Sequence, residues 1–233
     1  MIKPHIWLFK IYRICDNFDM EGLTLNRYLS LNIEKIVQIF FYIQRLTDTT
    51  DKVELIKYLF FSDRINIRKH FSFISLDTYF ALKRGPVASS SLYILNNNKE
   101  KLNKFITNDN SELRFLNNIE KINEKRLKIY HMDDDLLSNN EKGSIDKAIE
   151  IFQGKPLVEL SHDYPEWKRY KEFFNEKPHS RKPIFIDDFF ANPIVEDSPS
   201  INHCFNGKDP LYLDQEYLDE AKEFYFQSNR NVI

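Results

Sequence analysis

From Asn32 onward the apolar positions fall into a helical rhythm. Ile33, Ile36, Val37, Phe40 and Ile43 recur at spacings of three and four, which places them on one face of a helix. Thr47-Asp48-Thr49-Thr50-Asp51 ends that pattern. Asp51, with Glu54 three residues on, predicts a capping box that opens a second helix running to about Arg68. Val53, Ile56, Leu59 and Phe60 point inward on it. Asp63 lies four residues beyond Leu59, near the buried face, where a carboxylate needs partners. Ser75 is placed to cap a third helix through Tyr79, Phe80 and Leu82. Gly85 then ends this helix in a left-handed conformation, and Pro86 opens a fourth, from Val87 to Leu95.

Beyond Asn96-Asn97-Asn98, residues 99–107 predict a short helix. Phe115–Ile119 and Arg126–Tyr130 are two short apolar runs split by charges, which predict a β-hairpin. Ser138-x-x-Glu141 is a second capping box, opening a helix with Ile145, Ala148, Ile149 and Phe152 inward and stopped by Gly154 and Pro156. A short helix follows around Leu157–Leu160, and another holds Trp167, Tyr170 and Phe174. From about Asn175 prolines 178, 183, 193, 199 and 210 punctuate the chain, so long elements wait until an amphipathic helix at about 213–228. The expected fold class is mainly α (α+β). A compact helical domain with a small β-hairpin, residues 33–175, lies between a lead segment, 1–32, and a proline-punctuated extension, 176–233.

Composition narrows the function. The 233 residues hold only 5 glycines and show neither GxGxxG nor GxxxxGK[ST], which argues against dinucleotide and P-loop phosphate sites. Basic and acidic side chains nearly balance, 33 against 35, which argues against nucleic acid as the principal partner. Cys15 and Cys204 form no metal-binding or disulfide pattern. The N-terminal apolar run is broken by Lys10 and Arg13, and the Ile36–Ile43 stretch is far shorter than the ~20 residues of a spanning helix. A cytoplasmic protein without membrane contact is expected.

Candidate chemistry is sparse. His131 before Asp133-Asp134-Asp135 lacks the glycine and distal glutamate of a calcium loop and reads as a solvated acidic turn. His203-Cys204 adjacency does not make a catalytic dyad. Asp63 and His162 would form an acid–base pair if the fold brought them together, or equally a polar pair fixing helix packing. Arg64, Arg68, Lys69 and His70 after Phe60-Phe61, with Lys168-Arg169 after Trp167, have the interleaving of a nucleic-acid patch, against the plainer reading of a solvated helix face. No metal and no cofactor is expected.

Four pieces of the chain, in order and spacing, resemble the Panacea domain of SocA-like antitoxins. They are Leu55-Ile56-Lys57-Tyr58-Leu59-Phe60-Phe61-Ser62-Asp63-Arg64; Tyr79-Phe80-Ala81-Leu82-Lys83-Arg84-Gly85-Pro86-Val87; Leu137-Ser138; and Leu160-Ser161-His162-Asp163-Tyr164-Pro165-Glu166-Trp167. The resemblance spans roughly residues 33–175. Ser62 departs from the family's usual Ala, and Glu166 separates Pro165 from Trp167. The resemblance implies a noncatalytic antitoxin of a bacterial or phage type II toxin–antitoxin pair, which neutralises a toxin encoded by the adjacent gene through direct binding. Tyr58, Asp63, Tyr79, Arg84, Gly85, Pro86, Val87, His162 and Trp167 would then define a scaffold. In it Gly85-Pro86-Val87 makes a helix–helix corner set by Asp63, Tyr79, Arg84 and His162.

Interfaces favour exposed aromatics. Phe185, Phe189, Phe190, Tyr212 and Tyr217, outside the family span, are therefore the candidate partner surface, with a core expected to fold without residues 176–233. The alternatives are a nucleic-acid-binding regulator or an enzyme using Asp63 and His162, and a phage-associated accessory protein. Formation of a homo-oligomer is left open.

Overall fold

The computed structural model describes residues 32–103 and 110–230; the expected lead segment lies outside them, save Asn32. The chain is mainly α, with small antiparallel sheets. Helix α1 (Ile33–Thr47) starts where the Asn32 side chain accepts the Lys35 N–H and buries the predicted face. Helix α2 (Lys52–His70) is capped by Asp51, which accepts the Val53 and Glu54 amides; the Glu54 carboxylate bonds Thr49 instead of closing a reciprocal box.

Every residue of α2 from Leu55 to Arg68 is buried. The helix is the axis of the molecule, and α1, the Gly85–Ala88 segment and five other helices pack around it. An axial helix has no solvent face, so the polar residues it carries must find partners inside.

The predicted third and fourth helices are a correction. Tyr79–Leu82 is strand β1 and Gly85–Ala88 is strand β2, paired antiparallel with Tyr79 opposite Ala88 and Leu82 opposite Gly85. Only Ser89–Leu95 is helical (α3). Apolar runs of four residues do not separate strand from helix by periodicity. Here Ser75 gives its hydroxyl to Asp63 rather than capping a helix, and Asp77 reaches forward to accept the Ser90 and Ser91 amides at the start of α3. Gly85 does have the left-handed backbone, φ +98°, but as the residue after a Lys83-Arg84 hairpin turn, not at a helix–helix corner. Pro86 fits because β2 is an edge strand, where a missing N–H is tolerated.

Next come α4 (Lys99–Leu102) and a 3₁₀ segment, Asn110–Asn118. The expected second hairpin is present but shorter: β3 (Ile119–Lys121) pairs with β4 (Leu127–Ile129), while Phe115–Asn118 belongs to the 3₁₀ segment. Helix α5 (Asn139–Phe152) has the predicted Ser138/Glu141 capping box and lies along α2, with Phe152 stacked on Phe61 at 3.9 Å between ring centroids. Helix α6 (Leu157–Asp163) follows as expected. The predicted helix through Trp167 and Phe174 is two, α7 (Pro165–Lys168) and α8 (Lys171–Glu176).

The proline-punctuated segment is woven into the core. Strand β5 (Lys182–Pro183) pairs with β1, giving the sheet order β2-β1-β5. Helix α9 (Ile186–Phe189) sets Phe189 against Phe60, Phe73 and Tyr79. Helices α10 (Pro199–Phe205) and α11 (Gln215–Arg230) complete the chain. One continuous apolar cluster runs from Ile33 to Ala221. Residues 176–233 supply Phe189, Phe190 and Ile201 to that cluster, so a chain cut at 175 would lack those core side chains.

Candidate functional site

The polar residues of α2 divide into two groups. In the C-terminal half each charged side chain from Asp63 to Arg68 has hydrogen-bond partners, although Arg64 Nε and Arg68 Nε are buried without one. Asp63 accepts the Ile74 and Ser75 amides at 2.5 and 3.2 Å, the Ser75 hydroxyl at 2.6 Å and the Tyr79 hydroxyl at 2.7 Å. Burial still pushes its carboxyl up to about 6, against the pull of these donors. Of the expected polar network only Asp63 and Tyr79 meet. Arg84 is exposed on the hairpin turn, and the His162 ring lies parallel to Trp167, 3.7 Å between centroids. The Asp63/His162 acid–base pair is thus not assembled.

The expected basic patch is also corrected, because two of its arginines are interior. Arg64 is wholly buried, donates to Glu166 and the Ala191 carbonyl, and packs over the Tyr164 ring. Arg68 donates to the Leu211 carbonyl at 2.7 Å and Asn192 Oδ1 at 2.6 Å. Both guanidinium groups satisfy carbonyls of the proline-rich segment that no regular element would satisfy. Their charges hold that segment down and are not available to a phosphate. Burial raises the Glu166 carboxyl, with Arg64 opposing.

The candidate aromatic partner surface is split by the same packing. Phe189 and Phe190 are core residues, 1% and 3% exposed. Phe185 is exposed beside Arg169, Tyr212 is 60% exposed, and Tyr217 is exposed while donating its hydroxyl to the Arg68 carbonyl.

The N-terminal half of α2 is different. Lys57 is buried, donates to the Pro86 carbonyl at 2.9 Å, and is pushed well down by burial and then by the charge of Arg84. A Cβ on residue 85 would collide with Lys57 Nζ and with Ser161 Oγ, so Gly85 is required both for its positive φ and for this close approach. Next to it Trp167 Nε1 donates to the Leu82 carbonyl at 2.7 Å, tying α7 to the hairpin. His162 stays neutral; burial, then Lys57, pushes it down to about 4, and its Nε2 is buried without a partner. Residues from three of the four motif pieces, Lys57, Gly85-Pro86, Ser161-His162 and Trp167, therefore converge on one spot.

In front of that spot is a cavity of about 340 Å³ between α2, the hairpin and residues 178–180. Its walls are apolar: Val53, Ile56, Leu82, Val87 and Leu92. Every ionisable group on its lining is basic: Lys52, Lys57, Lys83, Arg84 and His179. Lys83 and Arg84 stand exposed on the turn with no ion pair to any described residue. Lys52 bonds only the neutral Asn96 amide, and burial lowers its pKa. Sequence reasoning singled out Arg84, Gly85 and Val87 but missed Lys52, Lys57, Lys83 and Ser161. The available signal was Lys57 itself, a lone cation inside the apolar run Leu55–Phe61.

Among the described residues no helix is long and apolar enough to cross a membrane. No curated protein and no solved structure matches the chain. Residues 55–168 match the family model described as antitoxin SocA-like, Panacea domain, a span that begins in the first turn of α2 and closes with α7, so that all three sides of the Lys57–Gly85–His162 junction fall within it. Over Leu55 to Lys168, just under half of the chain, the protein is similar to the Panacea domain of the SocA-like antitoxin family.

Proposed function

We propose that this protein is an antitoxin that neutralises a cognate toxin by direct protein–protein binding, without catalysis, in the cytoplasm. The family match over residues 55–168 carries the reading. The chemistry of the motif residues supports it: Asp63 and Tyr79 saturate each other and the 74–75 backbone, while Gly85 permits a close approach of Lys57 and Ser161. These are roles in holding a shape. The burial of Arg64 and Arg68 counts against the nucleic-acid reading, and Asp63 spends its carboxylate on Ile74, Ser75 and Tyr79 rather than on His162, which counts against the enzyme reading.

The toxin is taken to be the product of the adjacent gene. Expressed alone in a bacterial host, that product should arrest growth. Co-expression of the full chain should restore growth, and the two proteins should co-purify. Absence of toxicity, or toxicity that the full chain does not relieve, would overturn the reading.

A further inference from the structure

The cavity beside the hairpin combines apolar walls with ionisable groups that are all basic. Apolar walls ask for a hydrocarbon side chain, and a volume of about 340 Å³ has room for one or two of them. The rim is one-signed: Lys83 and Arg84 from the turn, Lys52 from α2 and His179 from the segment opposite, with no carboxylate on the lining. A chain of net charge −2 thus concentrates unpaired cations around an apolar hollow. Complementarity of this kind selects a partner bearing carboxylates next to a large apolar side chain. A nucleic acid would instead want a continuous basic track with exposed stacking rings.

We propose that this cavity is the docking site for an acidic segment of the protein partner, with a large apolar side chain between Val87 and Leu92 and a neighbouring carboxylate on Lys83 and Arg84. The proposal rests on the reading of the protein as a protein-binding antitoxin and names the chemistry of what it binds. Docking would place negative charge near Lys57 and Lys52, whose own environments disfavour their charged forms.

The test uses the full chain as bait for a random heptapeptide display library. Two variants run in parallel: Lys83→Glu/Arg84→Glu, which reverses the rim, and Ser180→Trp, which fills the mouth without changing charge. Lys83 and Arg84 are exposed turn residues, so unfolding midpoints should stay close to that of the parent. Enriched peptides are expected to carry Asp or Glu beside Leu, Ile, Phe or Trp. A synthetic copy should bind the parent, weaken with added salt, and lose about tenfold or more in affinity for each variant. No enrichment, enrichment of peptides without acids, or equal binding to parent and variants would overturn the site. The same variants enter the growth assay. Rescue by Lys83→Glu/Arg84→Glu as strong as the parent's would sink the site and leave the antitoxin reading standing. Acidic peptides enriched by a chain that rescues nothing would do the reverse.

Discussion

The two halves of α2 carry cations into the interior and treat them in opposite ways. Arg64 and Arg68, near its C-terminal end, are hydrogen-bonded to residues 191–211, and Arg64 also to Glu166. Lys52 and Lys57, near its N-terminal end, have one uncharged acceptor each, and beside them Lys83 and Arg84 have no ion pair among the described residues. The first set closes a structure; the second surrounds an opening. A buried charge whose hydrogen-bond partners come from the same chain is evidence of folding. A group of like charges around an apolar hollow, with no counter-charge on its lining, is evidence of a surface kept for another molecule.

The comparison breaks most visibly at Arg64. Arg64→Met leaves Glu166 as an uncompensated buried carboxylate and strands the Ala191 carbonyl, so destabilisation of about 3–5 kcal/mol is expected in urea unfolding. Arg64→Met/Glu166→Leu, which removes both charges, should recover a large part of that loss. A single variant as stable as the parent would mean that this end of α2 is not held by its charges.

Gly85→Ala should be the next largest effect, on the order of 1–3 kcal/mol, because it adds strain at φ +98° and a collision with Lys57 Nζ and Ser161 Oγ. Ser161→Ala in the same chain should return part of it. If Gly85→Ala unfolds at the parent's midpoint, the approach of hairpin, α2 and α6 is looser than described.

The smallest effect is a titration. The His162 ring should protonate at about 4 instead of near 6.5, read from its ring-carbon chemical shifts. A depressed imidazole is neutral in the folded chain while the unfolded chain takes up a proton below 6.5. Its contribution to stability is therefore complete above 6.5 and is lost as pH falls toward 4. Lys57→Met should move the midpoint part of the way back up, since burial is the larger cause and Lys57 the second. A parent midpoint at the ordinary value would place the ring in water.

The axial helix, the Ser138 capping box and the last helix were legible because each rests on local signals: three-and-four spacing, or a side chain and an amide three residues apart. The hairpin at 79–88 was not, because four-residue strands carry no period and their pairing with β5 joins positions about a hundred residues apart. Gly85 shows both sides. Its need for a left-handed backbone was readable; that it sits between Lys57 and Ser161 was not. The arginines were misread because charge on a helix ordinarily means solvent, and only the 188–211 carbonyls reverse that.

By itself, then, the sequence determined a mainly helical chain, the poverty of phosphate-loop chemistry and the four motif pieces that resemble a Panacea domain, since these depend on residue type and near-neighbour spacing. Tertiary structure alone decided which cations are buried and which are left open. It also decided that the proline-rich segment belongs to the core, and that the hairpin turn faces an apolar cavity. Those outcomes depend on groups far apart in sequence meeting, and the free energy of a charge depends on what surrounds it rather than on the residue that bears it.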